Sequence, residues 1–442
     1  MIPSRRVYWL LVLSSIVGLV AATAGTDLIH PRSLLVVTLL TLGFDGLVLG
    51  GMVLDGLRIK RQRVQIEREV GDRLSIGREN PVKLTVQTGD HPAVLQIYDA
   101  YPSPFFASVP SFSVAMPAKQ TETLNYTVFP FKRGEYTWGH IQVRQLGAWG
   151  LAWDDWVIPQ KQVVAVYPDL MGLRSLSIKL TLQTTGNIRR ARRQGIGTEF
   201  AELRDYASGD DLRLVDWKAT ARRDRLLIKV LEPEQEQPLI ILLDRGRLMT
   251  AQVDGLARFD WGLNATLSLA MAGIQRGDRV GIGVFDRQMH TWIPPERGQT
   301  QMVKLIDRLT PIQPELLEPD YLGAVTTVAK RQTRRALVVL ITDVIDEVAS
   351  AELLAAMTRL APRHLPFCVT LRDPKIDTRA HTVTQTIPDT YARAVALDLI
   401  AQRQLALAKL KQRGVLVLDA PANHISEELV DRYLYLKARN QL

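Results

Sequence analysis

The sequence predicts an α/β protein with a mainly parallel sheet covered by helices on both faces, set behind a β-rich domain and an N-terminal membrane hairpin. Three observations carry this reading. Two apolar runs open the chain, short apolar–polar alternations broken by prolines continue to about Tyr167, and from Pro238 apolar strands alternate with helical stretches. With 442 residues there is room for two or three domains at about 150 residues each. An apolar fraction of 46% can fill their cores. A single cysteine, Cys368, excludes an intramolecular disulfide and fits a reducing compartment. A net charge of +9 asks for an acidic partner: nucleic acid, anionic lipid or an acidic protein.

Residues 1–60 read as the anchor, with spans at about 7–25 and 33–57. Val7–Ala24 carries no charge and is about long enough for a bilayer core, which takes roughly 20 residues. Ser33–Leu57 is apolar except for Asp45 and Asp55, and Gly43, Gly46, Gly50 and Gly51 permit close helix approach. A signal peptide is the alternative for the first run, but no small-residue cleavage site stands apart from the second. Arg5 and Arg6 precede the first span, while Arg58, Lys60, Arg61 and Arg63 follow the second; the connecting loop carries only Arg32, near Asp27. Positive-inside bias therefore predicts a two-pass protein of the inner (cytoplasmic) membrane, with N-terminus and soluble body in the cytoplasm. Asp45 is costly in lipid and is expected to face the other helix or a neighbouring subunit.

Residues 62–170 alternate with period two, as in Val82–Thr88, Val94–Ala100, Thr123–Phe131 and His140–Leu146, which predicts a small antiparallel sandwich. Arg133-Gly134-Glu135-Tyr136 reads as a hairpin turn, and Trp149 and Trp153 as aromatic packing at a sheet end. No metal, nucleophile or phosphate motif lies here, so the domain is a structural spacer or, alternatively, a partner-binding module.

Residues 171–194 read as a linker ending in Arg189, Arg190, Arg192 and Arg193. That cluster either stays solvated or meets anionic lipid headgroups, at about 1 kcal/mol per basic residue near a charged surface. It has no aromatic interleaving and no groove-reading motif, so nucleic acid is not expected.

Residues 195–236 pack acids, arginines and aromatics most densely. Gly209-Asp210-Asp211 reads as a turn, preceded by Glu199, Arg204, Asp205 and Tyr206 and followed by Arg213, Asp216, Trp217 and Arg222. Two readings stand: a buried salt-bridge network stapling a domain entrance, or a docking surface for a protein. Residues 237–442 then give strands at Leu239–Leu243, Arg279–Phe285, Ala336–Ile341, Pro366–Leu371 and Val415–Leu418, with helices between them. Asp244 and Asp343 both end strands, where ligands of open α/β sheets gather.

The run G-T-E-F-x-x-L-R-x-Y-x-x-G-D-D-x-R-x-V-D-W-K-A-T-A-R, from Gly197 to Arg222, resembles the signature of the domain-of-unknown-function 58 family without a gap. Arg133–Leu151, with its R-G-x-Y turn and G-L segment, extends the resemblance. It implies that 237–442 is a von Willebrand factor A-like domain. Such domains hold Mg²⁺ or Mn²⁺ through an Asp-x-Ser-x-Ser loop after the first strand, a Thr from a second loop and an Asp after a later strand. Here Asp244, Thr342 and Asp343 match, but Gly246 and Leu248 replace the serines and Pro319 stands where the threonine belongs. Arg245 and Arg247 bring positive charge, and an arginine on Asp244 or Asp343 would take a cation's place. The site is read as degenerate, and no cofactor is expected.

Proteins resembling this one are associated with MoxR-type AAA+ ATPases in maturation of other proteins or in envelope function. The resemblance thus implies a membrane-anchored adaptor. Gly195-Ile196-Gly197-Thr198 lacks the ending of a phosphate loop, and there is no Gly-x-Ser-x-Gly elbow or His-Glu-x-x-His zinc motif. His290, His364, His381 and His424 are scattered. No enzyme is expected; the alternative is a metal-dependent hydrolase using Asp244, Asp343 and the signature acids.

Overall fold

The first apolar run folds as helix α1 (Arg5–Thr23) and the second as α2 (Pro31–Arg61). The computed structural model describes residues 1–23, 31–109, 111–180, 199–232, 237–345, 350–382 and 386–439. The chain divides into two units, Met1–Tyr167 and Pro168–Leu442. Among the described residues, Leu35–Arg61 forms a helix long and apolar enough to cross a membrane. The helices run antiparallel, because Ser14 meets Asp45 while Gly18 lies against Thr41. The Ser14 hydroxyl donates to Asp45 Oδ1 at 2.5 Å, so the acid in the apolar run has its partner on the other helix. The basic cluster at Arg189–Arg193 lies outside the described residues.

The β-rich part of the first unit forms three sheets. The five-stranded sheet orders β1 (Ile2–Pro3), β11 (Ala152–Ile158), β10 (Ile141–Leu146), β5 (Ala93–Asp99) and β7 (Phe112–Met116). The four-stranded sheet orders β2 (Gln65–Val70), β4 (Asn80–Gln87), β8 (Thr121–Pro130) and β6 (Phe105–Ala107). A third sheet joins β3 (Arg73–Ser75), β12 (Gln162–Tyr167) and β9 (Gly134–Trp138). Strict alternation places Val82, Leu84 and Val86 of β4, and Leu95 and Ile97 of β5, in the interior. A buried ionic link joins the two larger sheets: Arg68 donates to Asp99 at 2.6 Å, and the Tyr126 hydroxyl donates to the other Asp99 oxygen at 2.6 Å. Burial, with Asp99 alongside, pushes the Tyr126 phenol far up, so it remains a donor.

The second unit begins earlier than the linker reading placed it. Residues 170–180 form a helix, α3, whose Leu173 and Leu180 enter the core. Partly buried Leu170 and Leu176 pack beside them on the same stripe of the helix, so the 171–194 linker is corrected at its start.

Six strands form the main sheet: β15 (Pro238–Asp244), β18 (Arg279–Phe285), β19 (Met289–Glu296), β20 (Leu337–Thr342), β21 (Leu365–Arg372) and β22 (Leu416–Pro421). Their order is β19-β18-β15-β20-β21-β22. All neighbours are parallel except the edge strand β19, which pairs antiparallel with β18. Leu239, Ile241 and Leu243 pack under α3, α5 (Arg258–Gln275), α6 (Gln299–Leu309) and α11 (Ile425–Ala438). Ile240 and Leu242 pack on the opposite face, under α7 (Tyr321–Arg331), α8 (Ala351–Leu360) and α10 (Ile387–Gln412). Burial on both faces explains why these strands read as continuous apolar runs. Asp278 anchors the C-terminal helix, accepting from the Tyr433 hydroxyl and pairing with Lys437. Short elements complete the unit: the hairpin β13 (Glu199–Asp205) and β14 (Leu227–Glu232) with α4 (Trp217–Arg223) between them, the pair β16 (Gln252–Val253) and β17 (Leu256–Ala257), and α9 (Pro374–His381).

Candidate functional site

Strand order reverses around β15, whose neighbours β18 and β20 lead off in opposite directions; the crevice beyond its carboxyl end is where such sheets bind ligands. Asp244 and Asp343 meet there, with Thr342. Asp244 is fully buried: Oδ2 accepts from Thr342 at 2.6 Å and from the Tyr321 hydroxyl at 3.2 Å, and Oδ1 accepts from Gly246 N at 2.7 Å. Burial nevertheless dominates and pushes the Asp244 carboxyl up to about 6. Burial and the Asp244 charge also push the Tyr321 phenol far up, so it stays protonated.

Asp343 is neutralised from both sides. Arg258 donates to Oδ2 at 2.5 Å and Arg403 to Oδ1 at 2.6 Å, with Val344 N also on Oδ1 at 2.8 Å. Arg403 continues to Asp419, which accepts from its Nε at 3.0 Å and from Thr370 at 2.8 Å. Burial alone would lower the affinity of Arg403 for its proton, but Asp343 and Asp419 outweigh it and raise that affinity. A divalent cation placed between Asp244 and Asp343 would face two guanidinium groups. The donor set as arranged does not suit Mg²⁺ or Mn²⁺, and no group of His, Cys, Asp and Glu with metal-holding geometry exists among the described residues.

The arginines that fill this role differ from those the sequence suggested. Arg245 pairs with Asp286 at 2.7 Å and Glu315 at 2.5 Å, and Arg247 pairs with Glu318 at 2.6 Å. Arg258 and Arg403 went unnoticed because they sit on helices 85 and 60 residues from Asp343 in sequence. Arg258 had one faint signal, a cation at the first position of a helix. Gly246 is required by close approach: a Cβ there would lie 2.7 Å from Leu317 O and 3.0 Å from Asp244 Oδ1. The missing serine hydroxyl therefore has no room in this loop. Burial pushes the Cys368 thiol up to about 12, which removes it as a nucleophile at neutral pH.

The signature folds as a hairpin. β13 and β14 pair antiparallel, with Asp205 opposite Leu227, and Glu199 opens the ladder opposite Glu232. Gly209 holds the predicted turn with φ +105°, a conformation that favours glycine. Asp210 accepts from Arg204 at 2.6 Å and from Ala207 N at 2.8 Å; Arg204 in particular holds its carboxyl below the usual range. Asp211 caps a 3₁₀ turn through Arg213 N at 2.9 Å. Asp216 caps α4 through Lys218 N and Ala219 N, both at 3.0 Å. Asp205 pairs with Arg225 at 3.2 Å. The acids thus shape the loop locally, with Arg204 the ion-pair partner of Asp210.

Val215, Leu227, Ile228 and Val230 form the hairpin's buried side. The buried-network reading is corrected at the other side, which is open: Tyr206, Leu212, Trp217 and Leu226 are 38, 61, 68 and 42% exposed. Arg213, Lys218, Arg222 and Arg223 are exposed as well and make no ion pair among the described residues. Gly195 and Gly197 lie outside those residues.

The second unit is thus an open, mainly parallel α/β domain with an ionic cluster at its switch point and an exposed hairpin. Residues 202–379 match the family described as "Protein of unknown function DUF58", and this part of the chain is a DUF58 domain. The uncharacterized protein YeaD of Bacillus subtilis is 23% identical over 230 residues, covering 52% of this chain and 55% of that protein. The uncharacterized protein Rv1480 of Mycobacterium tuberculosis is 24% identical over 184 residues, covering 41% and 57%. The chain spans little more than half the length of these relatives. Among solved structures, the conserved hypothetical protein BatB from Bacteroides thetaiotaomicron gives a TM-score of 0.32 at 14% identity, covering 46% of this chain and 99% of that one. An aerotolerance-related membrane protein from Bacteroides fragilis gives 0.30 at 16% identity, covering 44% and 99%.

Proposed function

We propose that the protein is a membrane-anchored adaptor, two-pass with its body in the cytoplasm, that docks a protein partner on the signature hairpin. The observation that carries this reading is the exposed side of the hairpin. A tryptophan 68% exposed, two further apolar side chains and Tyr206 stand among cations that make no ion pair among the described residues, on a loop whose shape is fixed by four capping or paired acids. Exposed aromatics beside arginines are the side chains from which interface hot spots are built. The partner suggested by the family resemblance is a MoxR-type AAA+ ATPase, and the work of the pair is maturation of other proteins or an envelope function. The order of the main sheet, with its antiparallel edge strand, supports the von Willebrand factor A-like reading of 237–442. The filled crevice supports a scaffold over a hydrolase, since neither Asp343 oxygen is free to hold a metal or a proton in transit.

Affinity purification from mildly crosslinked membranes, comparing wild type with Trp217→Ala and Arg222→Glu, tests the proposal. A AAA+ ATPase recovered with wild type and reduced at least tenfold with both variants is the expected result. Equal recovery with all three proteins, or no ATPase at all, sinks it.

A further inference from the structure

In the first unit, the turn Gly147–Leu151 of the sandwich is held by both ends of the helix pair. Asp55, near the end of α2 and 1% exposed, accepts from Trp149 N at 3.1 Å and Leu151 N at 3.0 Å. From the other end, Ser4 donates its hydroxyl to Gly150 O at 2.6 Å and its N–H to Leu151 O at 2.9 Å. Ile2–Pro3 extends the five-stranded sheet beside β11. A buried carboxylate spent on backbone N–H groups fixes the turn firmly, because losing it leaves those donors unmet.

That attachment sets the depth of the turn. The exposed apolar surface of α2 runs through Leu47, Val53, Leu54 and Leu57, and cations begin at Arg58. Arg58 stacks its guanidinium 4.3 Å above the Trp149 ring, which is still 44% exposed. Trp149 therefore sits within about one helix turn, roughly 5 Å, of the end of the apolar surface. On the α1 side, Arg5 and Arg6 are exposed just ahead of exposed Tyr8 and Trp9. Tryptophan, tyrosine and arginine at one level are what the water–lipid boundary selects. The nearby acids do not offset the cations: Asp55 is committed to the turn, and Asp154, 3% exposed, pairs with Arg63 at 3.0 Å.

We propose that the turn Gly147–Leu151 rests in the phospholipid headgroup layer, with Trp149 in the interface and Arg5, Arg6, Arg58, Lys60 and Arg61 taking anionic headgroups. The sandwich then lies on the membrane surface as one body with α2, and the Asp55 contacts are its mount. This rests on the reading that α2 crosses a bilayer.

The test uses the full chain in nanodiscs of phosphatidylcholine with or without phosphatidylglycerol. The fluorescence of Trp149 is taken as the difference between wild type and Trp149→Phe. Lipid brominated near the carbonyl end of its chains quenches that difference signal by at least half, while aqueous iodide does not. Quenching by iodide and none by brominated lipid overturns the placement. Native mass spectrometry reads the headgroup: wild type retains phosphatidylglycerol over phosphatidylcholine, and Arg6→Gln and Lys60→Gln each cut the preference by about fivefold, equivalent to about 1 kcal/mol per cation. Equal retention of both lipids in wild type overturns the anionic preference. Alkaline carbonate extraction separates the two failures. Release of the chain from membranes ends the spanning reading together with the proposal, whereas retention combined with iodide access ends the proposal alone.

Discussion

Replacing Asp244 with asparagine should make the α/β unit more stable at neutral pH. The carboxylate is fully buried, and burial pushes its proton affinity from 3.8 up to about 6, against the pull of Thr342, Gly246 and Tyr321. At about 1.4 kcal/mol per tenfold change in affinity, keeping it ionised costs the folded state about 3 kcal/mol above pH 6. The folded state binds this proton more tightly than the unfolded chain does. Stability therefore falls as pH rises from about 4 to 6, then levels. Asparagine does not titrate and keeps an oxygen for Gly246 N–H, while the Thr342 and Tyr321 hydroxyls can turn to accept from its amide. We expect the variant to exceed wild type by about 1–3 kcal/mol at pH 8 and to match it near pH 4. Hydrogen exchange in graded urea, read on peptides from β15 and β20 of the detergent-purified chain, measures the difference. A variant weaker than wild type at pH 8, by an amount constant from pH 4 to 8, is the contrary result. It would mean that the anion is favoured there, as a bound cation would favour it.

Asp343→Asn should act in the opposite sense, because it leaves Arg258 and Arg403 facing each other with Asp419 as the remaining counter-charge; a loss of about 3–5 kcal/mol in the same exchange experiment is expected, and a loss under 1 kcal/mol would deny the ion cluster its structural role. His364, 3% exposed with neither ring nitrogen hydrogen-bonded, is held below its usual proton affinity by burial and then by Arg363. Protonation therefore favours the unfolded chain, and stability drops as pH falls through about 6.5. His364→Leu should remove that drop in thermal unfolding between pH 7 and 5; an unchanged slope would show that the imidazole finds a partner.

Much of the fold was legible because its strands are buried on both faces and read as unbroken apolar runs, as at Leu239–Leu243. Asp244, Thr342 and Asp343 were legible as a cluster because strand ends bring them together whatever the side chains do. The occupant of the cluster was not. Arg258 and Arg403 reach Asp343 only through the packing of α5 and α10, and no local pattern marks an arginine for that role. The signature yielded its turn through Gly209 and its acids, since capping is local chemistry. Its exposure was not readable, because alternating charged and apolar residues describe a half-buried and an open surface equally well. The helix at 170–180 was missed for a related reason: only Leu173 and Leu180 are deeply buried, too few to set a clear period.

A photo-crosslinking amino acid in place of Trp217 reads out whether the hairpin is a docking surface. Trp217 is 68% exposed, so the substitution should leave the fold intact. In native membranes a docking hairpin gives one dominant adduct to a AAA+ ATPase, lost when Arg222→Glu is added and absent when the same probe replaces exposed Val303 on α6. No adduct from position 217, or the same adducts from positions 217 and 303, would contradict it.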